Sequence, residues 1–537
     1  MTAPADLELE GVAPPSGRFA SRTLILAVMC LALVMVVSGV SMITNALPHL
    51  ASGLGASQSD QQWIIDAYGL TLAALLLPAG ALGDRYGRRG ALVAGVAIFG
   101  LTALAAVWVD TPGQLIALRA AMGVGAALIM PGTLSTITSV FPPDERPKAV
   151  GIWAGFAGAG GTLGILLSGA LLERFSWSSV FVVTAVLALL TLVGILLVVP
   201  ATRASEHVGL DPAGTVLSAL GIGALVFGII EGPVQGWTSP STAIGLVAGV
   251  VLLTAFVLVE LRIEHPLLDP RLFRRRGFAT GSASLFLQFF AMFGFFFVAL
   301  QFLQLVLGYS TFVAALALMP MTAVMLPLSA VSGTLSERWG HKLVGGAGLA
   351  VSAVGFALFA AVGRSSSYWG FLVATLVIGA GAALAMTPAT NAIVASLPRA
   401  KQGVASAVND TARELGAAFG VAVLGSAFNT GYRDSIVDHL GGLGAEAAEQ
   451  AKEAPALALQ VAQAIGDHAL VDAARSAFTS GMRYATLLGA GLLLVGAAFV
   501  WVRGDSVVDE LLEDELDRPD LDRPHLDPLH PGSPGQA

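Results

Sequence analysis

Apolar stretches of about 20 residues, long enough to cross a bilayer as helices, recur from Thr23 to Arg503 and leave little chain between them. This spacing constrains the chain more than any other feature. It predicts fourteen spans, at 23–47, 62–83, 91–109, 114–136, 149–172, 179–200, 213–231, 242–262, 279–303, 311–333, 343–362, 369–392, 403–426 and 482–503. Fifty-five per cent hydrophobic and 12% charged residues, with a mean hydropathy of +0.77, agree that water is not the solvent for most of the 537 residues. The fold class is therefore an all-α membrane protein. The first stretch is too long for the apolar part of a signal peptide and has no small-residue cleavage site, so it reads as a retained span.

An even number of spans puts both termini on one face, and basic residues say which. With the termini inside, the inner segments hold 20 of the 28 Lys and Arg, the outer ones hold six, and Arg119 and Arg413 are intramembrane. The expected location is thus the inner (plasma) membrane, multi-pass, with both termini cytoplasmic. Ten acids crowd the tail after Gly504 against Arg518 and Arg523 and account for the net charge of −8. One cysteine, Cys30, and eight scattered histidines imply neither a disulfide nor a metal site. No cofactor is expected.

A ten-residue phrase occurs twice. Gly80-Ala-Leu-Gly-Asp84-Arg85-Tyr86-Gly87-Arg88-Arg89 follows span 2, and Gly333-Thr-Leu-Ser-Glu337-Arg338-Trp339-Gly340-His341-Lys342 follows span 10, 253 residues later. Both read Gly-x-Leu-x-acid-Arg-aromatic-Gly-basic-basic. If spans 7 and 8 are an inserted pair, each copy follows the second span of a six-span unit, a transporter architecture. The boundaries are then a segment 1–22, a bundle 23–200, the inserted pair with its linkers 201–277, a bundle 278–503 with an outer loop 427–481, and a tail 504–537. Glycine allows the tight turn, the acid can cap a helix or pair with arginine, and the basic pair fixes orientation. Asp84, Arg85, Arg88, Glu337 and Arg338 are the candidate conformational latch.

The loop 80–89 resembles the signature loop of the major facilitator superfamily. Further phrases resemble its fourteen-helix drug:proton antiporter branch: Asn45-Ala-Leu-Pro48, Trp63-Ile-Ile-Asp66-Ala-Tyr68, Gln301-Phe-Leu-Gln304-Leu-Val-Leu-Gly308-Tyr-Ser310, and Gly403 to Gly416 with Asn409, Asp410, Arg413 and Glu414. The resemblance, over about residues 20–503, implies two six-helix bundles around a cavity, alternating access, and export of amphipathic compounds against proton entry. There are departures. Span 1 has no acid at Val37-Ser38-Gly39-Val40-Ser41, span 5 has no proline beside Gly160, Gly164 and Ser168, and Arg119-Ala-Ala-Met122-Gly123 keeps the arginine of a span 4 phrase without its glutamine. The small residues of span 5 predict close helix packing.

Ionisable residues in a bilayer cost about 2.5–3.5 kcal/mol each on insertion scales, so each needs a reason. Asp66, Arg119, Asp410, Arg413 and Glu414 are the candidates for proton coupling or substrate binding. Asp66 is expected toward the outer mouth and Glu414 nearer mid-membrane, while Asp410 can pair with Arg413 at i, i+3. A structural ion pair is the other reading of span 13. Phe286, Phe289, Phe290, Phe293 and Phe297 form a stripe on span 9 that faces either lipid or the cavity. In the second case Phe289, Phe293, Gln288, Gln301, Gln304 and Tyr68 would line the site and accept flat hydrophobic ligands.

No nucleotide-binding loop occurs, and the outer segment after span 13 is Ala-rich and helical in pattern, so ATP is not the expected energy source. The favoured function is secondary active export of amphipathic small molecules by a monomer, coupled to protons. Its partners are the substrate and the bilayer, and no nucleic acid. The rivals are an exporter of an endogenous lipid or secondary metabolite, an uptake symporter, or a membrane-bound enzyme, which would need a reactive cluster at one membrane face.

Overall fold

The structure is a computed structural model that describes residues 22–200, 211–363, 368–398, 401–441 and 443–504. The expected N-terminal segment and acidic tail lie outside the described residues, apart from Arg22 and Gly504. The described chain is helical: α1 Arg22–Leu54, α2 Gln58–Tyr86, α3 Arg88–Ala105, α4 Pro112–Val140, α5 Arg146–Leu172, α6 Ser178–Val198, α7 Pro212–Gln235, α8 Pro240–Glu260, α9 Arg276–Gln301, α10 Thr311–Ala360, α11 Tyr368–Ala395, α12 Gln402–Ile436, α13 Ala445–Glu453, α14 Pro455–Ile465 and α15 His468–Arg503.

Twelve of these helices are long and apolar enough to cross a membrane. One of them, α10, is two helices joined at Gly340, whose φ of 81° and ψ of 153° break the helical path; we call them α10a (311–339) and α10b (341–360). The fourteenth is α12, which its buried charged residues hold below the usual apolarity but which at 35 residues is long enough to cross and is buried at many positions from Gln402 to Ile436. Prolines 78, 131, 320, 327 and 388 sit inside these helices, where neighbouring helices can satisfy the freed carbonyls.

Two apolar cores organise the helices. One is built from residues of α1 to α6 together with Val394 of α11, the other from α9 to α15 together with Ile222 and Val226 of α7, Phe256 of α8, and Ala73 and Leu77 of α2. The inserted pair α7–α8 thus packs with the second core and against α2. Between the bundles, α2 packs on α12 and α5 on α10a. Gly160 and Gly164 let α5 approach α1 at Val37 and Ser38, as the small-residue spacing predicts.

The segment 427–481 is not a loop. Helix α12 continues to Ile436, α15 starts at His468, and α13 and α14 close the gap between them. At 1.5 Å per residue the early start of α15 adds about 21 Å of helix beyond the expected span. Hydropathy finds the apolar part of a helix, whereas its hydrogen-bonded ladder continues where the sequence is polar. Below, the face at which α1 begins and α15 ends is the terminal face, and the opposite one is the distal face.

Candidate functional site

Helix α12 starts without a cap of its own, since the side chain of its N-cap residue Lys401 does not bond the helix and donates instead to the Pro266 carbonyl at 3.2 Å. The cap comes from the other bundle. The Gly403 N–H donates to both oxygens of Asp84 at 2.9 and 2.8 Å, and the Val404 N–H donates at 3.2 Å. Arg88 donates to the same carboxylate at 3.1 and 3.3 Å and to the Ser135 carbonyl at 3.4 Å. Asp84 is 1% exposed, so the negative charge meets the positive end of α12 with little water between them. This approach needs bare backbone: a Cβ at Gly80 would stand 2.5 Å from the Gly403 carbonyl oxygen, and one at Gly403 would strike Gly80 and Asp84. Arg85 is exposed and covers Tyr86 at 5.6 Å.

The second copy of the phrase is placed alike and bonded differently. A Cβ at Gly333 would strike the Pro147 carbonyl at the start of α5, so α10a meets α5 as α2 meets α12. Yet Glu337 and Arg338 are exposed, and Glu337 makes no hydrogen bond or ion pair with any described residue. His341, in the place of Arg88, bonds Ser336 in its own turn at 2.7 Å. Among the described residues, the second copy therefore forms no contact like that of Asp84 with α12.

Deeper in the bundle, Arg119 of α4 is 1% exposed. Its Nε donates to the Ile64 carbonyl at 2.9 Å, its guanidinium lies 4.3 Å over the Tyr68 ring, and its Nη2 has no partner. Tyr68 is fully buried and donates to the Val36 carbonyl at 2.9 Å. Its expected place on a cavity wall is corrected: the hydroxyl ties α2 to α1, because a buried phenol needs an acceptor.

Across the interface, Arg413 pairs with Asp410 at 3.1 Å, and Asn409 donates to the same oxygen at 3.2 Å. The guanidinium sits 4.6 Å from the Phe289 ring of α9 and 5.3 Å from the Trp153 ring of α5. One cation therefore touches both bundles. Glu414 is partly buried and close enough to Arg413, Asp410 and, in the other bundle, Tyr68 for its charge to act on all three. It lies about 18 Å along α12 from Gln402. Asp66 is elsewhere, toward the distal end of α2, bonded to Gln62 and near Glu231 of α7. The five ionisable candidates thus form one central group of four and one distal acid.

The phenylalanine stripe of α9 turns inward. Phe286 meets Phe419 of α12 at 5.6 Å, Phe297 meets Phe428 at 6.4 Å, and Phe289 stacks on Phe293 at 6.1 Å. The lipid-facing reading does not hold for Phe289 and Phe290, each 4% exposed. Gln288 is corrected as well. It is fully buried on another face, accepts from Ser352 of α10b at 3.1 Å and so bridges two helices. Gln301 donates to the Phe297 carbonyl of its own helix at 3.1 Å, and Gln304 is partly buried in the turn that follows α9.

Two acids escaped the sequence reading. Glu231 closed the expected span 7 and so read as a boundary residue; α7 continues to Gln235 and holds it inside. Glu260, 1% exposed, accepts from the Leu268 N–H at 3.1 Å beside Asp211, which caps α7 through Gly214 at 2.8 Å. An acid within four residues of a span end is the signal that would have found both.

Fourteen membrane helices around two cores, with an acid-arginine turn clamping one bundle to the other, can be compared with known families. The profile of the Major Facilitator Superfamily matches residues 29–421. The chain belongs to this superfamily. It is 35% identical to the multidrug efflux pump LfrA of Mycolicibacterium smegmatis over 92% of this chain and 98% of that one. It is 32% identical to the methyl viologen resistance protein SmvA of Salmonella typhimurium over 89% and 97%. Among solved structures it matches the human organic anion transporter MFSD10 at a TM-score of 0.60 and 14% identity, covering 91% of this chain and 100% of that one. The last match speaks for the fold alone. This superfamily member is a transporter rather than an enzyme, and its curated relatives carry it into the fourteen-helix branch that the sequence resembles.

Proposed function

We propose that the chain exports amphipathic or hydrophobic small molecules of multidrug type in exchange for protons, by alternating access between bundles 23–200 and 278–503, with the terminal face in the cytoplasm. The observation that carries this reading is the Asp84 carboxylate of one bundle capping α12 of the other. A clamp of this kind closes the terminal face and must release before that face opens, which is the behaviour alternating access requires. The names of the relatives support drug export, and the 20-to-6 bias of basic residues supports the orientation.

Proton coupling is assigned to Glu414 and Asp66, since span 1 offers no carboxylate. Asp410 is already held by Arg413. One charge moved across 100 mV supplies about 2.3 kcal/mol, enough for a gradient of more than tenfold. In proteoliposomes whose lumen meets the distal face, an acidified lumen should drive ethidium accumulation, and nigericin should abolish it. Accumulation that survives collapse of the gradient would point to another ion. In detergent, Glu414→Gln or Asp66→Asn should abolish substrate-induced proton release, with a smaller effect from Asp410→Asn. Proton release equal to the parent's in both variants would return these acids to a structural role.

A further inference from the structure

The inserted pair is the part of the fold that two six-helix bundles do not need, and α7 brings an acid of its own to the molecule. Glu231 is 8% exposed, and its Oε2 is buried without a hydrogen-bond partner. Leaving a carboxylate oxygen unpaired inside a membrane protein is expensive. The residue is also close enough to Asp66 of α2 for the two charges to interact. Two like charges along one seam add to the cost, so the pair gains most from a ligand that neutralises both.

The seam around the two acids has a defined shape. Trp63 and Asp66 share a face of α2 at i, i+3, and Phe227 and Glu231 share a face of α7 at i, i+4. The rings of Trp63 and Phe227 stack at 6.1 Å with 28° between their planes, and because α2 and α7 run in opposite directions the two carboxylates flank this aromatic pair, Asp66 on its terminal side and Glu231 on its distal side. One helical turn beyond Glu231 the chain is pinned: α7 ends at Gly236, and Trp237 donates to Ser426 of α12 at 3.3 Å. The acid on α7 is therefore held against the transport bundles.

Resting on the exporter reading above, we infer that Asp66 and Glu231 form a two-carboxylate site at the distal α2–α7 seam that selects flat aromatic dications, with Glu231 as the specificity residue. The aromatic pair offers a face for stacking and cation–π contact. A single positive charge balances one carboxylate and leaves the other unmatched; two positive charges on one rigid ligand balance both. Asp66 then serves any cation, and Glu231 serves the second charge.

Methyl viologen and 1-methyl-4-phenylpyridinium have nearly the same shape and differ by one charge, which makes them the test pair. Binding to the purified full-length protein in nanodiscs is measured by calorimetry with no proton gradient. Glu231→Gln should weaken methyl viologen about tenfold and the monocation less than twofold, Glu231→Asp should keep the parent's preference, and Asp66→Asn should weaken both. Equal losses for the two ligands, or none, in a Glu231→Gln protein that melts like the parent would overturn the assignment. A second measurement needs no variant: saturating methyl viologen, and not the monocation, should protect Glu231 of the parent from carbodiimide labelling, read by peptide mass spectrometry. Unprotected Glu231 overturns the site. Loss of proton-driven transport with the binding pattern intact would overturn the exporter reading and leave this site standing.

Discussion

The turns at 80–89 and 333–342 agree in backbone and differ in bonding. Gly87 and Gly340 both take positive φ, 106° and 81°, and Gly80 and Gly333 both let a helix of one bundle touch the first turn of a helix in the other. Asp84 is buried on the α12 N-terminus with Arg88 behind it, whereas Glu337 is exposed and its turn is closed on itself by Ser336 and His341. A repeated phrase thus preserves the steric requirement of a crossing without preserving its electrostatics. The physical reason lies in the partner helix: α12 begins with free N–H groups, while α5 carries Pro147 in its first turn and so offers fewer donors for an acid to cap.

The largest effect should come from Asp84→Asn. The change keeps the shape, removes the charge facing the α12 N-terminus, and leaves Arg88 buried without its counter-charge, a class of loss worth about 3–5 kcal/mol. Since asparagine can still accept one N–H, part of the clamp survives. Transport in proteoliposomes should fall at least about tenfold, with insertion and yield near those of the parent. Wild-type rates in correctly oriented vesicles would make the two turns functionally equal and undo the comparison.

The pattern that the sequence made legible was the one carried by short range. Span number, the paired turns, the Asp410–Arg413 pair and the close packing of span 5 all follow from spacing along one or two helices, whereas α1 as the partner of span 5 did not. Which acid of the repeat is buried did not follow, because it depends on the partner that each turn meets, 319 residues away for Asp84 and Gly403 and 186 for Gly333 and Pro147. Tyr68 and Gln288 were misread for a related reason. A polar group in a span marks either a cavity or a bond between helices, and only the neighbouring helix, with the Val36 carbonyl or the Ser352 hydroxyl, decides between them. Glu231 and the long polar ends of α12 and α15 were hidden by reading helix ends from apolarity.

Two glycine substitutions sharpen the comparison, because here the turns should behave alike. Gly80→Ala and Gly333→Ala each push a Cβ into a backbone carbonyl of the opposing helix, where neither side can yield without moving a bundle. Overpacking of this kind costs about 1–3 kcal/mol. Both variants should open the terminal face, read as faster alkylation of a cysteine introduced beside Gly403 or Lys148, and by similar factors. A large difference would mean that the two crossings are not equivalent even sterically.

Arg88 and His341 occupy matching places and should not matter equally. Arg88→Gln removes the counter-charge of Asp84 but leaves the backbone N–H donors of Gly403 and Val404, so a loss of about threefold in transport is expected. His341→Gln disturbs a bond within its own turn and should change transport less than twofold. If the histidine variant lost more than the arginine one, the second turn would be the working latch.

Glu337→Gln should have the smallest effect of all, and it tests the comparison most directly. The side chain is exposed and bonds no described residue, so neutralising it removes only a solvated charge, and such changes usually stay within about 0.5 kcal/mol. Transport and melting temperature should both match the parent within error. A loss approaching that of Asp84→Asn would mean that Glu337 engages a partner in another conformation of the cycle. The asymmetry between the turns would then belong to one state rather than to the sequence, and the double variant Asp84→Asn with Glu337→Gln would separate the cases. Two acids acting in different states should give losses that add, while an idle Glu337 should leave the double variant no worse than Asp84→Asn alone.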